Sequence, residues 1–308
     1  MTPGALCAGR VAVVTGAGRG LGRAHALELA RNGARVVVAD LGAELDGTGG
    51  SSVPAERVAA EIRTAGGEAV AVRADAAEDT DAARLTETAL DAWGRLDVLV
   101  SNAGIVRDRM LVSMTEEEWD AAVRVHLTGH FLPLRHAAAY WRSRAKGGAP
   151  VDARVVHTTS GAGLLGSVGQ ANYAAAKAGI AALTLVAAAE LSRYGVTVNA
   201  IAPSARTRMT EEVFADMMAR PESGFDAMDP ANVSPLVAWL ASPESSHVTG
   251  RVFEIEGGTI SVATGWRHGP RRDKPTRWEP GELGPVIADL LTEAPEPEPV
   301  YGAARSPR

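Results

Sequence analysis

The chain has 308 residues, 46% of them hydrophobic and 22% charged, with a formal net charge of −6. That size and composition suit one large globular domain or two small ones, and the acidic balance argues against a nucleic-acid binder, whose affinity rests on basic contacts to phosphate. A lone cysteine, Cys7, excludes an internal disulfide; with no signal-peptide pattern in "MTPGALCAGRVAVV" and no uninterrupted apolar run near the roughly 20 residues that span a bilayer, a soluble cytoplasmic protein without a membrane partner is expected.

In chain order, the first β-branched run is "VAVVT" (11–15), which leads into "TGAGRGLG" (15–22) and a helical stretch at 20–32. The glycines Gly16, Gly18, Gly20 and Gly22 depart from the usual G-x-G-x-x-G spacing, but the physics is the same. A turn without side chains lets a pyrophosphate approach the backbone at a helix N-terminus. The second strand, "ARVVVAD" (34–40), ends on Asp40. A carboxylate there accepts hydrogen bonds from an adenosine ribose and repels a 2′-phosphate, which favours NAD. Arg19, in the glycine turn, pulls towards NADP, and Asp40 outweighs it.

A helix at 54–65 and a strand at 68–75 follow, then a helix at 79–93, a strand at 96–104 and a long helix at 115–145. The remaining strands are expected at 153–160, 196–203 and 251–258, with helices at 171–193 and 231–241 between them. Strands without strict polar alternation, separated by helices, indicate a parallel sheet covered on both faces. Right-handed crossovers then give an α/β fold, a doubly wound (Rossmann) sheet of about seven strands. Residues 1–260 form one dinucleotide-binding domain, and 261–308 a Pro- and Gly-rich C-terminal extension whose last dozen residues have a disordered composition.

The chemistry concentrates in "QANYAAAKAGI" (170–180). The chain uses three lysines against 28 arginines, so Lys177 four residues after Tyr173 needs a reason. At that spacing the two share a helix face. A nearby ammonium favours the phenolate of a tyrosine, and a compact Lys can do this while donating to a ribose hydroxyl, which Arg's planar fork cannot match. Ser160, at the end of the fifth strand, adds a hydroxyl where ligands of open α/β sheets bind.

These residues, with Asp75 in "RAD", "SNAG" (101–104) and "VNAIAP" (198–203), resemble the short-chain dehydrogenase/reductase family across residues 10–260. The resemblance implies an enzyme transferring a hydride between a secondary alcohol or ketone and a nicotinamide. Tyr173 would be the general acid/base, Ser160 would orient the substrate oxygen, and Lys177 would tune the tyrosine and hold the nicotinamide ribose. Arg19 and Leu21 would lie with the glycine turn against the cofactor, Asp75 would touch its adenine, and Asn102, Ala103 and Gly104 would line its channel. Ile201 would lie beside the carboxamide.

Most members carry Asn in the helix before the serine, where it supports a water relay to the lysine; here His126 stands in "VRVHLTGHF". Together with "DLGAELDGTGGSS", "NAGIVRDRM" and "IAPSARTRMTE", it resembles the (3R)-hydroxyacyl-CoA dehydrogenase part of peroxisomal multifunctional β-oxidation enzymes. The implied substrate is a 3-hydroxyacyl-CoA or a steroid-linked alcohol. The alternatives are an NADPH-dependent 3-oxoacyl-thioester reductase and, from another class, a non-catalytic nucleotide sensor, which retention of Ser160, Tyr173 and Lys177 opposes.

His126 and His130 have i, i+4 metal spacing, but no third ligand is evident and no metal is expected. Met110, Met114, Met209, Met217, Met218 and Met228 fall where this family borders its substrate cleft, with Val213 and Phe214 completing an apolar helix face. The basic run Arg267, Arg271, Arg272, Lys274 and Arg277 could meet coenzyme A phosphates. The Ala-rich helix 171–193 would pair between subunits, giving a homodimer or homotetramer.

Overall fold

The computed structural model describes residues 6–44, 48–211, 215–298 and 300. Seven strands run parallel: β1 (Val11–Thr15), β2 (Arg35–Asp40), β3 (Ala69–Arg73), β4 (Val98–Ser101), β5 (Ala153–Thr158), β6 (Val196–Ser204) and β7 (Val252–Glu256). An eighth, β8 (Thr259–Ala263), returns antiparallel along β7, and the sheet order is 3-2-1-4-5-6-7-8. The sequence pattern predicts seven strands and misses β8. Its signal was the Gly257–Gly258 pair, a two-residue hairpin turn with Gly257 at φ +53. The domain boundary expected at residue 260 therefore falls inside a strand.

The helices are α1 (Gly20–Arg31), α2 (Val53–Thr64), α3 (Asp79–Trp93), α4 (Glu116–Val123), α5 (Gly129–Lys146), α6 (Gly161–Leu165), α7 (Ala171–Leu191), α8 (Ala215–Met218), α9 (Ser234–Leu240) and α10 (Leu283–Glu293). Successive residues of β1 divide between two cores, as a period of two demands. Ala12 and Val14 pack with α1, α2 and α9, whereas Val11 and Val13 pack with α3, α5 and α7. Both faces are dry, which is why the strands read as unbroken apolar runs.

The long helix expected at 115–145 is interrupted. A capping box between Thr115 and Glu118 starts α4, and a π turn at Arg124–Thr128 then separates it from α5. Pro133, inside α5, has no N–H to give the Gly129 carbonyl, so the ladder is also broken just beyond the π turn.

Among the described residues one helix, α7 with its 3-10 end (Ala171–Tyr194), has the length and mean hydropathy (1.5) to cross a membrane. It is also a layer of the sandwich. Asn172, Ala176, Lys177, Ile180 and Thr184 are buried on its inner side, while Leu185 and Val186 are more than half exposed. In the extension, α10 exposes Leu283, Ile287 and Leu291, and Trp266 is fully exposed. The expected disorder of the last dozen residues lies largely outside the described residues.

Candidate active site

The strand order reverses between β1 and β4, and at the carboxyl ends of these strands a cleft of about 300 Å³ opens. At one end is the glycine turn. Helix α1 begins without a side-chain cap and without an acid in its first turn, so its N–H groups face the cleft uncompensated. Gly16, at φ +63, touches the Ala103 backbone so closely that a Cβ would stand 2.7 Å from the Ala103 Cα. A Cβ on Gly22 would lie 2.1 Å from the Gly16 carbonyl oxygen. Gly16, Gly20, Arg19 and Leu21 line the cleft, whereas Gly18 and Gly22 stand behind it and allow the close packing. The cradle has the shape and donors a dinucleotide pyrophosphate requires.

Asp40 faces the same end. Its carboxylate accepts from the Gly18 N–H at 2.7 Å and from the Gly42 N–H at 2.6 Å, tying the end of β2 to the glycine turn. Arg19 donates to the Ala43 carbonyl at 3.1 Å, so both charges border the adenosine end of the cleft. Asp75 also lines it, paired with Arg124 at 2.8 Å. Asn102 is anchored by its N–H to Thr15 Oγ1 at 3.0 Å, and with Ala103 and Gly104 it forms the wall between the two ends.

At the chemical end, Lys177 is buried and its Nζ donates to the Thr158 carbonyl at 2.7 Å. No carboxylate pairs with it there; burial pulls its pKa down to about 7. The ammonium lies 5.5 Å from the centre of the Tyr173 ring. His126, carried on the π turn, meets the other side of that ring edge-on, 5.0 Å between centroids and 88° between planes. Its Nε2 is 2.8 Å from the Ile105 carbonyl, and burial, then Lys177, pushes its pKa down to about 3. The imidazole is thus neutral and holds Tyr173 in position without taking charge at neutral pH.

Ser160 caps α6, its Oγ accepting from the Ala162 N–H at 3.2 Å, which leaves its own O–H to donate. It sits just behind the cleft wall formed by Thr158 and Thr159. A Cβ on Gly163, in α6, would stand 2.6 Å from the Lys177 Cβ, so α6 and α7 need a glycine at their contact.

Ile201 is a correction. It is fully buried in the middle of β6 and belongs to the core; the strand runs on to Ser204, and Pro203 and Ala205 reach the cleft instead. Of the methionines, Met209 lines the cleft, Met110 is largely exposed on its rim and Met218 is buried. The side chains of Val213, Phe214 and Met217 lie outside the described residues. His126 and His130 turn to different partners, Ile105 and the Thr158 N–H, and no metal-ligand cluster occurs among the described residues. Three of the five basic residues of the tail pair within it: Arg272 with Glu293, Lys274 with Glu282 and Arg271 with Asp273. Sequence reasoning missed Arg124 and Gln170, both in the cleft wall. Their signals were adjacency, to His126 in one case and to the Tyr173 helix in the other.

The family model described as short chain dehydrogenase matches residues 10–218. The chain is 48% identical over 299 residues to the hydroxyacyl-CoA dehydrogenase ChsB1 of Mycobacterium tuberculosis, covering 96% of this chain and 92% of that one. It is 45% identical to the mouse peroxisomal multifunctional enzyme type 2, covering 82% of this chain but only 32% of that longer protein. A crystal structure of a short chain dehydrogenase from Mycobacterium avium superposes with a TM-score of 0.87 at 61% identity, covering 97% of this chain and all of that one. Sheet order, glycine cradle and the Tyr173–Lys177 pair agree with that match, and the chain belongs to the short-chain dehydrogenase family of oxidoreductases.

Proposed function

We propose that the chain is an NAD-dependent dehydrogenase that interconverts 3-hydroxyacyl-CoA and 3-oxoacyl-CoA thioesters, or a closely related bulky alcohol. The observation that carries the reading is Lys177, buried beside Tyr173 and poised to gain or lose its proton near neutral pH. Tyr173 takes the proton of the substrate hydroxyl, Ser160 donates to the same oxygen, and Lys177 keeps the phenolate accessible. The nicotinamide, when bound, accepts the hydride from the carbinol carbon. His126 and the Thr158–Thr159 wall keep water from the buried side of the tyrosine.

The glycine turn, Asn102 and Lys177 would hold the dinucleotide, which as a family property is NAD(H) or NADP(H). NAD is favoured by Asp40, whose negative charge would oppose a 2′-phosphate. The thioester substrate is supported by the likeness to the mycobacterial hydroxyacyl-CoA dehydrogenase, which extends over nearly the whole chain. Room for a polycyclic or long acyl group is supported by the exposed apolar rim of Met110, Leu111, Val112 and Val168. A second reading, an NADPH-dependent 3-oxoacyl-thioester reductase, is favoured by Arg19 at the adenosine end.

The deciding experiment follows cofactor reduction by absorbance, comparing NAD with NADP over (3R)- and (3S)-3-hydroxyacyl-CoA thioesters and hydroxysteroids. Turnover of the (3R) thioesters with NAD is expected, and Tyr173→Phe is expected to abolish it while leaving NAD affinity intact. Turnover of hydroxysteroids alone would overturn the substrate, and use of NADP alone would overturn the cofactor.

A further inference from the structure

Gln170 immediately precedes α7 and lines the cleft one turn before Tyr173. Its Nε2 donates to Asp108 Oδ2 at 2.8 Å. A carboxylate only accepts, so this bond fixes which way round the amide sits. The two stretches that carry the pair are pinned to each other. The Arg109 N–H donates to the Gly169 carbonyl at 2.8 Å, and Arg109 and Gln170 form an isolated parallel bridge. Below them, Asn172 Nδ2 donates to the carbonyls of Arg107 and Glu118, both at 2.9 Å.

Asp108 sits in this frame at a cost. Burial raises its carboxyl above the usual range against the pull of the Gln170 bond, and its Oδ1 is buried without a hydrogen-bond partner among the described residues. The neighbouring Arg109 turns away to Glu118, at 2.7 Å. A half-buried carboxylate whose one side-chain partner is an amide in a cleft wall acts as a clamp on that amide. The tyrosine chemistry makes no use of it.

With one N–H committed to Asp108, the second N–H of Gln170 remains for a ligand. In a 3-hydroxyacyl thioester the carbonyl carbon is two bonds from the carbinol carbon. A donor for that carbonyl must therefore stand beside Tyr173 without competing for the hydroxyl. Residues one turn apart on a helix have Cβ atoms about 5–6 Å apart, which matches that need.

We propose that Gln170, positioned by Asp108, donates a hydrogen bond to the thioester carbonyl and so distinguishes 3-hydroxyacyl thioesters from other secondary alcohols; this rests on the thioester reading given above. The test compares wild type, Gln170→Ala and Asp108→Asn with two ligands. One is a (3R)-3-hydroxyacyl-CoA as substrate. The other is its thioether analogue, in which CH2 replaces the carbonyl, as a competitive inhibitor. Gln170→Ala is expected to lower kcat/KM on the thioester by about ten- to a hundred-fold, the range for a lost polar contact to substrate. Inhibition by the thioether should change by less than about twofold, since it lacks the group that is read. Asp108→Asn, which frees the amide to turn over, should raise KM with kcat largely kept. Equal losses on both ligands, or none on either, would overturn the proposal while leaving the function standing. A wild type inactive on every thioester would overturn the substrate reading and this proposal with it.

Discussion

Gly104 and His126 meet so closely that a Cβ on the glycine would stand 2.6 Å from the imidazole Cε1. The ring has nowhere to go, held at one edge by the Ile105 carbonyl and at the other by Tyr173. The wall of the cofactor channel and the support of the catalytic tyrosine are therefore one contact.

Gly104→Ala should displace His126 and, through it, Tyr173. Overpacking of this kind costs about 1–3 kcal/mol, and the reaction should suffer more than the fold. Thermal unfolding alongside kcat is the check. A variant with a lowered Tm but unchanged kcat would show that the imidazole does not position the tyrosine.

Four histidines, His25, His126, His130 and His157, are buried. Burial pushes His25, His126 and His157 down to about 3 and His130 well below its ordinary value. Between pH 6.5 and about 3 the unfolded chain protonates these rings and the folded chain does not. The unfolded state then binds more protons, so stability is full above pH 6.5 and is lost as pH falls, by about 1.4 kcal/mol per unit for each ring. Acid unfolding followed by circular dichroism should be steep below about pH 5.5, given a total stability of about 5–15 kcal/mol. His157→Gln should make it shallower, and an unchanged slope would contradict the burial of that ring as the cause.

Asp40→Ala should raise the ratio of NADP to NAD use in kcat/KM by about tenfold or more, a factor that corresponds to about 1.4 kcal/mol. It should also cost about 1–3 kcal/mol of stability, because the Gly18 and Gly42 N–H groups lose their acceptor. Cofactor kinetics and denaturant unfolding separate the two effects. A stability loss without any shift in cofactor preference would make Asp40 a turn residue only.

The outer face of α7 presents Ala178, Ala182, Leu185 and Val186 to solvent. Leu185→Glu should lower the mass measured by light scattering at micromolar concentration while leaving the far-ultraviolet spectrum unchanged. A wild type already monomeric there would remove the helix pairing.

The sheet was legible because its strands are buried on both faces, and "VAVVT" and "ARVVVAD" fall on β1 and β2 within one residue. β8 was not, since most of its side chains face solvent and its only cue was a pair of glycines. Tyr173 and Lys177 were legible from spacing, because one helical turn fixes their shared face. Ile201 was misplaced because the turn into the cleft comes after Ser204, and no residue type announces where a parallel strand stops. Gln170 escaped notice because its partner, Asp108, is 62 residues away in sequence.

The π turn at Arg124–Thr128 has a consequence for what lengths this chain can tolerate. Each residue of an α-helix turns the chain by about 100°, so removing one residue there would rotate all of α5 against α4. His130, Leu134 and Trp141 would leave the sheet, and the Arg124–Asp75 pair would part. Surface loops can absorb insertions and deletions over evolutionary time; this stretch cannot, although many of its side chains could change. Between Glu116 and Lys146 the number of residues is under tighter selection than most of their identities.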